Sequence, residues 1–178
     1  DMDDTAPVIT LTGSSAITHE AASVYTDAVA TWTDAVDGNG SAGVAGSVNV
    51  NVPGAYTLTY FKTDAAGNAA TQVTRMVTVA DTTEPVISLS GDANVTHEAA
   101  TSYSDLGAGW IDTLDGNGSL VGSGTVNVSV PGTYALTYSK TDAAGNVALP
   151  LTRTVAFAVF YTHLTLPSIH SVSVPVRS

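Results

Sequence analysis

Val52-Pro-Gly-Ala-Tyr-Thr-Leu-Thr-Tyr-Phe-Lys-Thr-Asp-Ala-Ala-Gly-Asn68 reads as turn, strand, turn. Pro53-Gly54 opens it. Tyr56, Leu58 and Tyr60 then alternate with Thr57 and Thr59, the two-residue period of a strand with one buried face. Asp64-Ala-Ala-Gly-Asn68 closes it, with Gly67 suited to a positive φ and Asp64 and Asn68 suited to bonding nearby backbone. The same stretch returns as Val130 to Asn146, almost letter for letter.

Outward from this stretch, the whole chain obeys the same repeat. Pro53 maps to Pro131, an offset of 78 residues, and so do Pro7 to Pro85, His19 to His97, Tyr25 to Tyr103, Trp32 to Trp110 and Arg75 to Arg153. No insertion breaks the register, and more than half of the aligned positions are identical. Two domains are expected, 1–80 and 81–159, joined by the short polar linker Ala80 to Pro85, with a tail over 160–178. Within the first domain, strands are expected over Pro7–Thr12, Ala16–His19, part of Tyr25–Asp34, Ser47–Val52, Ala55–Thr63 and Thr71–Val79. Asp37–Gly40 reads as a turn. No window carries a 3.6-residue apolar period. Short strands with turn signals every 8–12 residues indicate an all-β, antiparallel sandwich in each repeat. Parity assigns Ile9, Leu11, Ile17, Val48, Val50, Val52, Tyr56, Leu58, Tyr60, Val73 and Val77 to the first core. The repeat offers a check: Phe61 becomes Ser139, as an outward position allows, whereas Leu58 and Tyr60 recur unchanged.

Composition narrows the function. The formal charge is -11, from 16 acidic and 5 basic side chains, which repels nucleic acid and anionic membranes and attracts cations. Cysteine is absent, so disulfide and thiolate sites are excluded. No apolar run approaches the ~18 residues of a membrane helix. The opening Asp1-Met2-Asp3-Asp4 reads as the interior of a longer protein, so neighbouring domains on the same chain are the first expected partners.

The ordered set of motifs resembles a known family. Asp…Pro-Val-Ile-Thr-Leu, Tyr-x-Asp, Asp-x-x-Asp-Gly, Pro-Gly-x-Tyr-x-Leu-Thr-Tyr, Thr-Asp-Ala-Ala-Gly-Asn and Arg-x-Val is similar to a bacterial immunoglobulin-like repeat family, first named from a domain of a pesticidal crystal toxin. It is more loosely similar to hyalin and polycystic-kidney-disease repeats. The resemblance covers about residues 3–157. It implies two tandem immunoglobulin-like β-sandwiches in a secreted or surface-anchored bacterial protein, serving as a non-catalytic stalk, spacer or adhesion module. A surface glycan or protein is a further partner under the adhesion reading. The rival is a carbohydrate-binding accessory module of a secreted hydrolase.

Individual residues are weighed against that frame. His19-Glu20 and His97-Glu98 carry no nucleophile and orienting partner in a local signature, so no catalytic residue is assigned and the chain is not expected to be an enzyme. His19 shares parity with Ile17 and reads as a partly buried strand histidine with a hydrogen-bond partner. Asp27, Asp34 and Asp37 recur as Asp105, Asp112 and Asp115. Asp37-Gly-Asn-Gly40 resembles part of a calcium loop but lacks the alternating ligands and terminal Glu of an EF-hand. A second place for calcium is the junction, if Glu20, Asp64, Asp81 and Glu84 converge there. The competing reading is aspartates bonded to turn backbone, so no metal or cofactor residue is assigned and calcium stays open. Trp32 and Trp110 read as core rather than as a sugar platform.

Two further expectations concern the basic residues and the tail. Arg75 shares parity with Val73 and Val77. It is therefore expected to lie inward, with Arg153, bonded to a carboxylate or to strand carbonyls of its own domain. Tyr161-Thr-His-Leu-Thr-Leu-Pro167 has no counterpart in either repeat and resembles translated sequencing-adapter read-through at the ends of metagenomic reading frames. The alternation of Val172, Val174 and Val176 keeps a short strand as the other reading.

Overall fold

The computed structural model describes residues 3–160, and the tail expectations over 161–178 fall outside them. Among the described residues there is no helix. The first repeat contains β1 (Val8–Leu11), β2 (Ala16–Glu20), β3 (Ala30–Asp34), β4 (Gly38–Ser41), β5 (Gly43–Ala45), β6 (Gly54–Phe61) and β7 (Val73–Ala80). The second contains β8 (Val86–Leu89), β9 (Asn94–Glu98), β10 (Ala108–Asp112), β11 (Gly116–Leu120), β12 (Gly132–Tyr138) and β13 (Leu151–Ala158).

Each repeat builds two sheets. In the first, β1-β3-β4 forms one and β2-β7-β6-β5 the other. In the second, β8-β10-β11 and β9-β13-β12 correspond, and the counterpart of β5 shrinks to a single bridge, Ser123 to Thr137. The pairing is antiparallel with one exception per repeat. β2 runs parallel to β7, with Ile17 beside Val77, and β9 runs parallel to β13, with Val95 beside Val155. The short Thr12 to Ser15 connection carries the chain from β1 in one sheet to β2 in the other, so its first segment serves both.

The alternation of β6 and β7 places their inward residues as parity requires. Leu58 faces Arg75 across the pair and Tyr56 faces Val77. Leu58, Tyr60, Val77 and Val79 form the first core with Ile9, Trp32 and three alanines, Ala21, Ala30 and Ala70. The second core repeats this with Leu136, Tyr138, Val155 and Phe157. Ile9, Leu58, Tyr60 and Val77 lie where parity places them, whereas Val79 and the three alanines join the core beyond that assignment.

Ser47–Val52 is not a strand. Gly46, at φ 99°, turns the chain off the sheet edge, and a Cβ there would stand 2.4 Å from the Thr57 carbonyl oxygen. The asparagines then make a turn: Val52 N donates to Asn49 O at 3.3 Å and Asn51 N to Asn49 Oδ1 at 3.1 Å. Val50 O accepts Ala22 N at 2.8 Å, which anchors the loop to the bend after β2. Val48 still packs on the core, but Val52 is 51% exposed. The expected turn at Asp37–Gly40 also shifts: residues 35–37 turn, and Gly38 already begins β4.

Candidate functional site

The largest fully buried side chains are two arginines. Arg75 and Arg153 are each 1% exposed. Arg75 Nη1 pairs with Asp27 Oδ1, Nε donates to Ser14 O at 3.0 Å, and Nη2 donates to Thr12 O and, at 3.4 Å, to Val29 O. Tyr60 Oη donates to both Asp27 oxygens, at 2.8 and 2.9 Å. Arg153, Asp105 and Tyr138 repeat the arrangement, with Asp92, Ser90 and Gly107 supplying the carbonyls. A buried charge is tolerated only when paired and hydrogen-bonded, and here the guanidinium is nearly saturated. Burial alone would raise the Asp27 carboxyl; the bonds from Tyr60 and Arg75 and the Arg75 charge outweigh it and hold Asp27 below the ordinary carboxylate range. Asp105 is depressed in the same way. Burial, then the bond to Asp27 and its charge, push the Tyr60 phenol up to about 12. The expected bonding of Arg75 and Arg153 is therefore present, and Asp27 and Asp105 are its carboxylates.

A second set of acidic residues gathers at the end where the chain comes into each repeat. Asp34 Oδ1 accepts the Val36 and Asp37 amides, and Asp37 Oδ2 accepts Ala65 N at 2.6 Å. Asp64 closes its own loop, accepting Asn68 N and Asn68 Nδ2, both at 2.7 Å, around Gly67 at φ 99°. Asn68 Nδ2 also donates to Asp3 O at 3.1 Å, tying the incoming segment down. In the second repeat Asp112, Asp115, Asp142 and Asn146 repeat these contacts, the last reaching Asp81 O at 3.2 Å. Asp3, Asp34 and Asp64 present oxygens within 4.8 Å of one another, as do Asp81, Asp112 and Asp115. Burial, against a bond from the Thr83 amide, and then the charges of Asp112, Asp142 and Glu20 raise the Asp81 carboxyl.

The family model for the bacterial surface protein Ig-like domain matches residues 9–79 and, separately, 87–157. The chain belongs to this family. No curated protein matches it. The Ig-like family accounts for the repeat length, the two-sheet architecture and the recurring motifs; it assigns no residue a chemical role.

The remaining candidates sort themselves within the Ig-like frame. The junction set drawn from sequence does not assemble. Asp64 sits with Asp3 and Asp34 in its own repeat, and Glu20 is engaged by the linker, accepting Thr82 N at 3.0 Å and Thr83 Oγ1 at 2.7 Å. The bond from the Thr82 hydroxyl, then those from the Thr83 hydroxyl and the Thr82 amide, lower the Glu20 carboxyl. His19 Nε2 lies 3.0 Å from Ser23 Oγ, a pairing that invites a base–nucleophile reading. That hydroxyl donates its proton to Glu20 O at 2.6 Å instead, and Thr101 does the same to Glu98 O beside His97. His19 also stacks edge-on to Tyr25, 5.1 Å between centroids, so it is a part-buried strand histidine with a partner, as parity indicates. Trp32 is 8% exposed; its Nε1 donates to Ser41 O, Lys62 Nζ lies 4.2 Å from its ring centre, and Gly40 packs on the indole. Trp110 is half-buried under Lys140 and against Gly118.

Proposed function

We propose that the chain is a non-catalytic stalk segment of a longer protein displayed outside the bacterial cell, in which sandwiches are strung in series as spacers. The observation that supports this is the outlet of each repeat. Glu20 accepts the Thr82 amide as the chain leaves the first sandwich, and Glu98 accepts the Phe160 amide, 78 residues on, at the same 3.0 Å. Each unit thus grips its outgoing segment in the same way. The covered faces of Trp32 and the committed proton of Ser23 favour a spacer over a carbohydrate-binding accessory module or an enzyme. Adhesion to a surface glycan or protein is the neighbouring reading.

Small-angle scattering tests it on the present chain and on a version with the second repeat duplicated. Units in series lengthen the particle by at least about 26 Å, the span of an eight-residue strand such as β7. A duplicated chain with unchanged maximum dimension would overturn the series arrangement, and saturable binding on a glycan array lost on Trp110→Ala would favour the carbohydrate reading.

A further inference from the structure

Among the described residues, four buried side-chain polar atoms have no hydrogen-bond partner. All four are carboxylate oxygens: Oδ2 of Asp3, Asp34, Asp81 and Asp112. They occupy two positions related by the 78-residue offset, so each repeat carries the same pair. An unpaired buried carboxylate is among the most costly groups a protein can hold. Here other carboxylates lie close by, which worsens the cost.

Asp112 is the sharpest case, at 6% exposure. Its Oδ1 takes the Leu114 and Asp115 amides, both at 2.8 Å, leaving Oδ2 free toward its acidic neighbours. Oxygens of Asp81, Asp112 and Asp115 lie within 4.8 Å of one another. Two oxygens sharing one calcium ion, each at about 2.3–2.6 Å, stand no more than about 5 Å apart, so this spacing admits a common ion. The unpartnered Oδ2 of Asp81 and of Asp112 and one oxygen of Asp115 supply three ligands, and water completes the six to eight that calcium takes. Magnesium keeps most of its water and rarely recruits so many carboxylates.

We propose that each repeat binds one calcium ion where its chain comes in, through Asp81, Asp112 and Asp115 in the second repeat and through Asp3, Asp34 and Asp64 in the first. The ion neutralises the orphaned oxygens and pins the incoming segment to the turn after the third strand. In the second repeat Asp81 belongs to the linker, so the ion fixes the linker to the sandwich it leads into.

The test uses the full chain stripped with a chelator and titrated with calcium chloride by calorimetry, with melting followed in parallel. Saturable binding at one site per repeat and a melting temperature raised by millimolar calcium are expected. Asp112→Asn keeps the oxygen that caps the turn, so it folds. It should weaken calcium binding in its own repeat by at least about tenfold, because ligand charge sets affinity. In chelator Asp112→Asn should melt at or above the parent, having lost an unpaired buried charge; in calcium the order should reverse. Asp34→Asn should do the same for the first repeat. Identical melting of the parent in calcium and in chelator overturns the proposal. So does unchanged binding in both variants.

Discussion

Just before the third strand of each sandwich the first repeat has Val29 and the second has Gly107, and both adopt a positive φ, 59° and 74°. The two carbonyls do the same work. Each accepts an arginine Nη2, at 3.4 and 3.3 Å, and the amide just past the opposite strand, Thr12 or Ser90, at 3.2 and 3.0 Å. Glycine takes this conformation freely, whereas a β-branched residue does so at a cost of roughly 1–2 kcal/mol. The first repeat keeps the geometry regardless. The direction of that carbonyl, required by a buried guanidinium, outranks the local preference of the residue that bears it.

The matched half of the comparison is tested first, by removing the guanidinium. Arg75→Ala and Arg153→Ala should each cost about 3–5 kcal/mol in their own repeat, because Asp27 or Asp105 is left as an uncompensated anion. Chemical denaturation of each variant reads this, and a cost below ~1 kcal/mol in either repeat would break the equivalence. Tyr60→Phe and Tyr138→Phe should cost about 1.5–3 kcal/mol, the range for a bond to a charged group. The second should be the larger, since Tyr138 Oη also accepts Arg153 Nη1 at 3.2 Å.

Acid probes both trios together. Asp27 and Asp105 are held below their ordinary value near 3.9, so their contribution is fully present above that value. It is lost as pH falls through the lower, folded value. Stability assigned to the trios should therefore be flat above about pH 5 and decline below about pH 4, with Asp27→Asn removing that slope in the first repeat. A pH-titrated melting series in chelator checks it. The smallest effect sharpens the difference itself: Val29→Gly should stabilise the first repeat by up to ~1 kcal/mol, strain relief less the added freedom of the unfolded chain. A loss of stability would show that Val29 is at ease in its conformation.

Parity and repetition carried the reading of the sequence a long way. The β6–β7 pair, the inward arginines and the part-buried histidine all follow from which residues alternate and which recur. The partner of Arg75 did not, because Asp27 lies 48 residues away and only the recurrence of Tyr-x-Asp marks it. Ser47–Val52 alternates like a strand, yet its asparagines bond their own backbone and Gly46 has already left the sheet. Ala21, Ala30 and Ala70 carry too little apolar surface to announce a core, although the sheets close over them. Asp3 and Asp81 lie outside every strand, so their meeting with Asp34 and Asp112 was a matter of three-dimensional closure. Leu114 shows the same limit. It packs against the first repeat's core cluster, while its counterpart Val36 is exposed, and only the neighbouring sandwich distinguishes them.

The parallel pairing of β2 with β7 has a mechanical consequence. Tension on the chain pulls the Ala16 end of β2 one way and the Ala80 end of β7 the other, along the strand direction. The five partner positions from Ala16–Met76 to Glu20–Ala80 are then sheared together rather than peeled one at a time. β9 and β13 are arranged likewise, through Asn94–Thr154 to Glu98–Ala158. Force transmitted through either unit therefore meets a clamp whose hydrogen bonds must fail as a group.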